Sequence, residues 1–101
     1  MLSESASQAI AGFMASLGQQ EDIKAATLRN YESDLRHFAS WLEATWDEGG
    51  EPVRFSPQGI TTPTITQYRA YMQQVARLKP ATINRRLVAL KRYFRWAVEQ
   101  G

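Results

Sequence analysis

The chain has 101 residues, of which 44% are hydrophobic and 22% charged, a composition typical of one globular domain with a single core. It contains no cysteine and one histidine, His37, which excludes disulfides and leaves no His or Cys cluster for a metal site. No stretch reaches the ~20 apolar residues of a membrane span, and the N-terminus lacks the basic start of a secretory signal. We therefore expect a cytoplasmic protein with no cofactor and no membrane partner.

The first predicted helix runs from about Ser5 to Leu17. Gly18 follows it and fits a helix end. Apolar side chains recur at helical spacing along one side of this segment: Ile10, Phe13, Met14 and Leu17.

The second predicted helix begins near Ala25 or Thr27 and shows the clearest periodicity in the chain. Its apolar residues are spaced to form one stripe over four turns: Leu28, Tyr31, Leu35, Phe38 and Leu42. Two glycines and a proline in the following WDEGGEP segment cannot continue a helix. Residues 47–61 are therefore predicted to form the longest loop.

The third predicted helix begins at Thr62, read as an N-cap, with Pro63 at the first helical position, and ends at about Val75. Its predicted apolar side consists of Ile65, Tyr68, Met72 and Val75. No segment of the chain shows the alternation of a strand.

The fourth predicted helix starts at Pro80 or Ala81 and spans about five turns. Its predicted buried stripe is Ile83, Leu87, Leu90, Phe94 and Val98, whereas Tyr93 lies off that stripe and Trp96 opposite Leu87. The tryptophans are candidates for packing against other helices or a second domain: Trp41, Trp46 and Trp96. The fold class predicted from these patterns is all-α with four helices.

Basic charge is concentrated in the last predicted helix. Residues 79–101 contain six basic residues and one acidic residue, a net charge of +5, whereas residues 1–78 contain six basic and nine acidic residues, a net charge of −3. This distribution is expected for a helix that faces a polyanion.

With Leu87 as the centre of the buried face, Arg85 and Arg92 share one stripe on the opposite side of the fourth helix, and Lys91 and Arg95 flank it. Small residues nearby would let a groove wall approach: Ala81, Val88 and Ala89. Such a face suits a helix in the major groove of DNA. The alternative is an ordinary solvated basic face.

The second helix shows a weaker version of this pattern. Arg29 and Arg36 lie seven residues apart opposite its apolar stripe, near Asn30 and Ser33. Glu32 and Asp34 lie among them, which favours a mixed surface with local ion pairs between residues four apart.

Two stretches resemble the core-binding domain of tyrosine recombinases, the phage-integrase family. Residues 82–94, TINRRLVALKRYF, are similar to that family's last core-binding helix, T-x-x-R-x-L-x-A-L-[RK]-x-[FY]. Residues 27–42, with the pattern T-L-x-x-Y-x-x-D-L-x-x-F-x-x-W-L, resemble its other recognisable stretch. The resemblance implies a SAM-like core-binding domain over residues 1–101, a four-helix bundle of two helical hairpins.

The resemblance also implies a function. Such a domain forms one jaw of a C-shaped clamp around a recombination half-site, with the second and fourth helices toward the major groove. The implied partners are double-stranded DNA, the parent's own catalytic domain and other recombinase protomers. Arg85 and Lys91 match basic positions of the family motif. The candidate DNA-binding residues, including those from the helical wheel, are Arg29, Arg36, Asn84, Arg85, Lys91, Arg92 and Arg95.

The resemblance implies no catalysis by this chain. The family's catalytic Arg, Lys and His residues and its nucleophilic tyrosine belong to a second domain, which would start after Gly101. None of the four tyrosines is therefore expected to act as the nucleophile: Tyr31, Tyr68, Tyr71 and Tyr93. The alternative function is a helical protein-interaction domain whose basic face meets an acidic partner.

Overall fold

The computed structural model describes residues 2–19, 23–46 and 60–100, apart from the side chain of Trp46. Four helices account for most of these residues: α1 (Glu4–Gly18), α2 (Ala25–Trp46), α3 (Thr62–Gln74) and α4 (Pro80–Glu99). The described ranges contain no strand, so the predicted all-α fold class is confirmed. Residues 47–59 of the predicted loop lie outside the described part of the chain.

The helices form two compact units, each a helical hairpin. Residues 1–55 contain α1 and α2, and residues 56–101 contain α3 and α4. Within each unit the two helices pack against one another. The two predicted hairpins are therefore present.

The core of the first unit follows the predicted stripes. The Ser3 hydroxyl accepts a 3.1 Å hydrogen bond from the Ala6 N–H and caps α1. Met14, Leu28 and Tyr31 belong to the predicted stripes but are only half-buried. The last residue of α1 is Gly18, one residue later than predicted, and its C-cap is Gln19 in a right-handed conformation. The buried side chains are Ala6, Ile10, Phe13, Leu17, Leu35, Phe38, Ala39 and Leu42.

Two carboxylates are buried among the described residues of the first unit. Asp34 is 1% exposed, so its predicted place on a mixed surface is wrong. The Oε1 atom of Glu43 accepts a 2.9 Å hydrogen bond from the backbone N–H of Ser3. This bond connects the C-terminal half of α2 to the start of α1, and it satisfies a donor that precedes the first helical turn.

The α3 helix of the second unit begins one residue earlier than predicted. Thr61 is the N-cap of α3, its N–H lies 3.4 Å from the Thr64 hydroxyl, and Pro63 is the second helical residue. Tyr68 and Met72 are buried as predicted, and Ile65 is half-buried. The predicted burial of Val75 is wrong. Its side chain is 70% exposed because the residue is the C-cap, where the chain leaves the helix.

A tight turn joins α3 to α4. The Leu78 N–H donates a 2.9 Å hydrogen bond to the Met72 carbonyl, and Arg77 adopts a left-handed backbone with φ of 51°. Lys79 is then the N-cap of α4, and Pro80 is its first residue, where a missing N–H costs nothing.

The buried side of α4 is rotated from the predicted one. Its fully buried residues are Ile83, Ala89, Leu90 and Tyr93. Arg86, Leu87 and Phe94 are half-buried, and Val98 is 79% exposed. The interior face is therefore centred between Leu90 and Tyr93, about 90° around the helix from Leu87. Tyr93 and the stem of Arg86 occupy interior positions that a count of aliphatic residues overlooks.

Candidate nucleic-acid interface

The rotation of α4 defines which residues it turns to solvent. Asn84, Val88, Lys91 and Arg95 are all exposed and follow one another at intervals of four, three and four residues. At 100° per residue these positions fall within about 60° of one another around the helix. We call these four residues the outward stripe.

Arg85 and Arg92 lie to one side of the outward stripe. Both are exposed, but they sit about 70–90° around the helix from the stripe's centre. They are exposed as predicted, but they lie about 105–125° from the centre of the buried face rather than the predicted 140–160°, because that prediction took Leu87 as the centre. The two arginines instead form a cationic flank, which we call the arginine flank.

A groove between α3 and α4 lies on the other side of the outward stripe. Apolar Ile65, Leu87 and Phe94 line it together with polar Asn84, Lys91 and Arg69. Arg69 thus supplies a cation from α3 beside three residues of the outward stripe, Asn84, Val88 and Lys91. Cationic side chains therefore lie on both sides of Val88.

The small residues that were predicted to let a DNA groove wall approach α4 are only partly exposed. Val88 is 49% exposed and Ala81 is exposed, whereas Ala89 is completely buried. The position predicted for Ala89, facing a groove wall, is wrong because that prediction also took Leu87 as the centre of the buried face.

The two units differ more in net charge than the two stretches of sequence compared above, residues 79–101 and 1–78. Residues 56–101 contain eight basic residues and one acidic residue, Glu99, a net charge of +7. Residues 1–55 contain four basic and nine acidic residues, a net charge of −5. No acidic residue lies between positions 60 and 98, so every charged side chain in that range is basic.

The candidate DNA-binding face of α2 differs from that of α4 because it contains a carboxylate. The Nε atom of Arg36 donates a 3.2 Å hydrogen bond to Oε1 of Glu32, one turn earlier. The same carboxylate lines a shallow surface pocket with Arg29, Arg36 and His37. This is the predicted mixed surface with a pair four residues apart, and its positive charge is partly offset.

All seven predicted DNA-binding residues are solvent-exposed, and their role in DNA binding stays a prediction. Sequence reasoning missed Arg69, although its position one turn after Ile65 places it at the edge of the apolar side of α3. Arg86 is the one cation of α4 that belongs to the interior: its Nε atom is shielded from solvent, and its Nη1 atom lies 3.5 Å from the Tyr68 hydroxyl.

Tyr93 and Trp96 of α4 are packed more deeply than predicted, whereas Phe94 is packed less deeply. The ring centroids of Tyr93 and Trp96 lie 6.0 Å apart, and Trp96 is half-buried rather than turned fully outward. Burial raises the pKa of the Tyr93 hydroxyl to about 12, which disfavours its phenolate. Trp41 is half-buried against Phe38, with centroids 6.2 Å apart, and the side chain of Trp46 lies outside the described part.

No helix among the described residues is long and apolar enough to cross a membrane. No group of three or more His, Cys, Asp or Glu side chains among them is arranged to hold a metal ion.

Comparison with known proteins identifies one family. The family described as phage integrase, N-terminal SAM-like domain, matches residues 10–101 of the chain. No significant match is found among curated proteins or among solved structures.

Proposed function

Because the chain belongs to the phage-integrase family of N-terminal SAM-like domains, we propose that it binds duplex DNA as the core-binding domain of a tyrosine recombinase. In this role it clamps a recombination half-site together with the parent's catalytic domain. The observation that carries the proposal is the outward stripe of α4, which has cations on both sides and lies in a unit of net charge +7.

The dimensions of DNA fit this arrangement. The major groove is about 12 Å wide, which matches the diameter of an α-helix with its side chains. When α4 lies in the groove, the short side chains of the outward stripe face the base edges, and its long side chains, Lys91 and Arg95, reach the phosphates. The arginine flank then lies toward one phosphate backbone, and Arg69 lies toward the other.

The energy of this binding is largely electrostatic. Lys91, Arg92 and Arg95 near phosphates displace condensed counterions from the duplex, so affinity falls steeply as salt rises. Guanidinium groups add bidentate hydrogen bonds to phosphate oxygens or guanine edges.

The second helix has a smaller role in this proposal. Arg29 is exposed and reaches the duplex as a supporting phosphate contact. Arg36 contributes less because its ion pair with Glu32 must be broken or shared before it meets a phosphate.

We assign no strand cleavage to this domain. In the parent recombinase, cleavage and rejoining belong to the separate catalytic domain. The high pKa of Tyr93 and the burial of Tyr68 fit structural roles for these phenols rather than attack on a phosphodiester.

An NMR titration of the ¹⁵N-labelled chain with a duplex oligonucleotide at low salt tests the proposal. We expect amide shifts to concentrate on residues 84–95 and on the α3 residues that line the groove. A parallel titration with poly-glutamate tests the alternative of an acidic protein partner. Unchanged spectra with excess duplex, or equal responses to poly-glutamate and DNA, would overturn the proposal.

A further inference from the structure

We propose that Asn84 and Val88 read the bases of the DNA site and select an adenine and, within about two base pairs of it, a thymine. This inference rests on the proposed function and extends it from DNA binding to the kind of base pair that α4 prefers. It depends on the position of the two residues in the outward stripe, between the arginine flank and Arg69.

Val88 is the unusual member of the stripe. It is an aliphatic, β-branched residue that is 49% exposed at the edge of the groove between α3 and α4, with Arg69 and Lys91 also lining that groove. Contacts to phosphates need charged or polar groups, so a valine at this position adds nothing to electrostatic binding. Among the four bases, only thymine presents an apolar group in the major groove, its C5-methyl. Val88 is therefore suited to contact a thymine methyl group.

Asn84 lies one turn before Val88 on the same stripe and is also exposed. Its carboxamide carries one acceptor and two donors, which match the N6 donor and the N7 acceptor of adenine in a bidentate pair. The residue carries no charge, so it adds little to general affinity for phosphates.

The separation of the two residues sets the spacing of the bases. Four residues of helix rise about 6 Å, and successive base pairs are about 3.4 Å apart, so both side chains reach bases within about two pairs. Lys91 and Arg95 extend the stripe away from Val88 and provide charged contacts beyond it.

Selection of bound duplexes from a randomised DNA library by the wild-type chain is the first test. We expect enrichment of A·T pairs at two positions no more than about two pairs apart. Asn84→Ala should relax one position and Val88→Ala the other. Two matched controls should leave the selected pattern unchanged. Gln67→Ala removes an exposed amide on the side of α3 away from the groove, and Val98→Ala truncates an exposed valine at the end of α4.

Replacement of thymine by uracil in the selected duplex is the second test, since uracil lacks only the C5-methyl. The wild-type chain should lose about threefold to fourfold in affinity, the value of one buried methyl group. Val88→Ala should bind the thymine and uracil duplexes equally. Asn84→Ala should lose on the order of tenfold against the selected adenine, as expected for a bidentate pair.

The outcomes separate this inference from the function on which it rests. Tight, salt-dependent binding with no A·T preference, or with equal loss on uracil substitution for wild type and Val88→Ala, would overturn the base-reading roles and leave DNA binding intact. No binding to any duplex in the library would overturn both.

Discussion

The Nη1 atom of Arg86 on α4 lies 3.5 Å from the hydroxyl oxygen of Tyr68 on α3. Tyr68 is fully buried, and Arg86 is half-buried with its Nε atom shielded from solvent. This contact places a charged residue of α4 toward α3, and it distinguishes Arg86 from its neighbour Arg85, which is exposed. We therefore expect Arg86 to stabilise the packing of α4 against α3, and Arg85 to contribute little to stability.

Arg86→Ala should lower the free energy of unfolding by about 1–3 kcal/mol, because it removes the packed stem and leaves a buried phenol with one partner fewer. Arg85→Ala should change stability by no more than about 0.5 kcal/mol. Chemical denaturation of both variants measures the difference. Tyr68→Phe, alone and combined with Arg86→Ala, provides a double-mutant cycle, and a coupling energy near zero would remove the assigned contact.

Leu90 is 2% exposed on the buried side of α4, so Leu90→Ala should cost roughly 2–5 kcal/mol through lost burial and an unfilled cavity. Leu87→Ala should cost less, because Leu87 is only half-buried and lines the open groove. Thermal or urea unfolding of the pair measures the order. Equal losses, or a larger loss at Leu87, would favour the face originally predicted from periodicity.

Arg77 has a left-handed backbone, with φ of 51°, in the turn between α3 and α4. A residue with a β-carbon pays about 1–2 kcal/mol in this conformation, whereas glycine adopts it freely but loses about 0.5–1 kcal/mol of chain entropy on folding. Arg77→Gly should therefore raise the free energy of unfolding by up to about 1 kcal/mol. Arg77→Ala, which keeps the β-carbon, is the control, and greater stability of Arg77→Ala than of Arg77→Gly would contradict the turn geometry.

The raised pKa of Tyr93 predicts a specific alkaline transition. Burial disfavours the charged phenolate, so the folded pKa of about 12 lies above the ordinary value of 10.0. The contribution of this group to stability is complete below pH 10 and is lost as the pH rises toward 12. Tyrosine absorbance at 295 nm should show a late-titrating phase that Tyr93→Phe removes. Persistence of the late phase in Tyr93→Phe would assign it to another residue.

The sequence predicts the four helices well because each amphipathic segment repeats at the helical period and ends near glycine or proline. The rotation of α4 was harder to predict. Tyr93 and Arg86 have long side chains with polar tips, so their apolar parts can be buried at positions that a hydrophobicity pattern treats as surface. Val98 and Val75 fit the period but lie at helix ends, where no side chain from the partner helix covers them.

The candidate interface was predictable in composition and less so in geometry. The concentration of basic residues on α4 is visible in the sequence, as is the weaker case for α2. The rotation of α4 about its axis decides which of these residues face solvent together. In the structure this rotation places Asn84 and Val88 in the outward stripe and Arg85 and Arg92 beside it. Arg69 lies beside them only because α3 packs against α4, a relationship between elements that no local pattern contains.

The salt dependence of duplex binding, compared between wild type and Lys91→Ala, tests the central claim that the outward stripe of α4 meets DNA. Lys24→Ala, which removes an exposed lysine just before α2, is the matched control. We expect the slope of log K against log salt concentration to fall by about one unit for Lys91→Ala and to stay unchanged for Lys24→Ala. Equal slopes for wild type and Lys91→Ala, together with a reduced slope for Lys24→Ala, would contradict the claim and move the interface to the first unit.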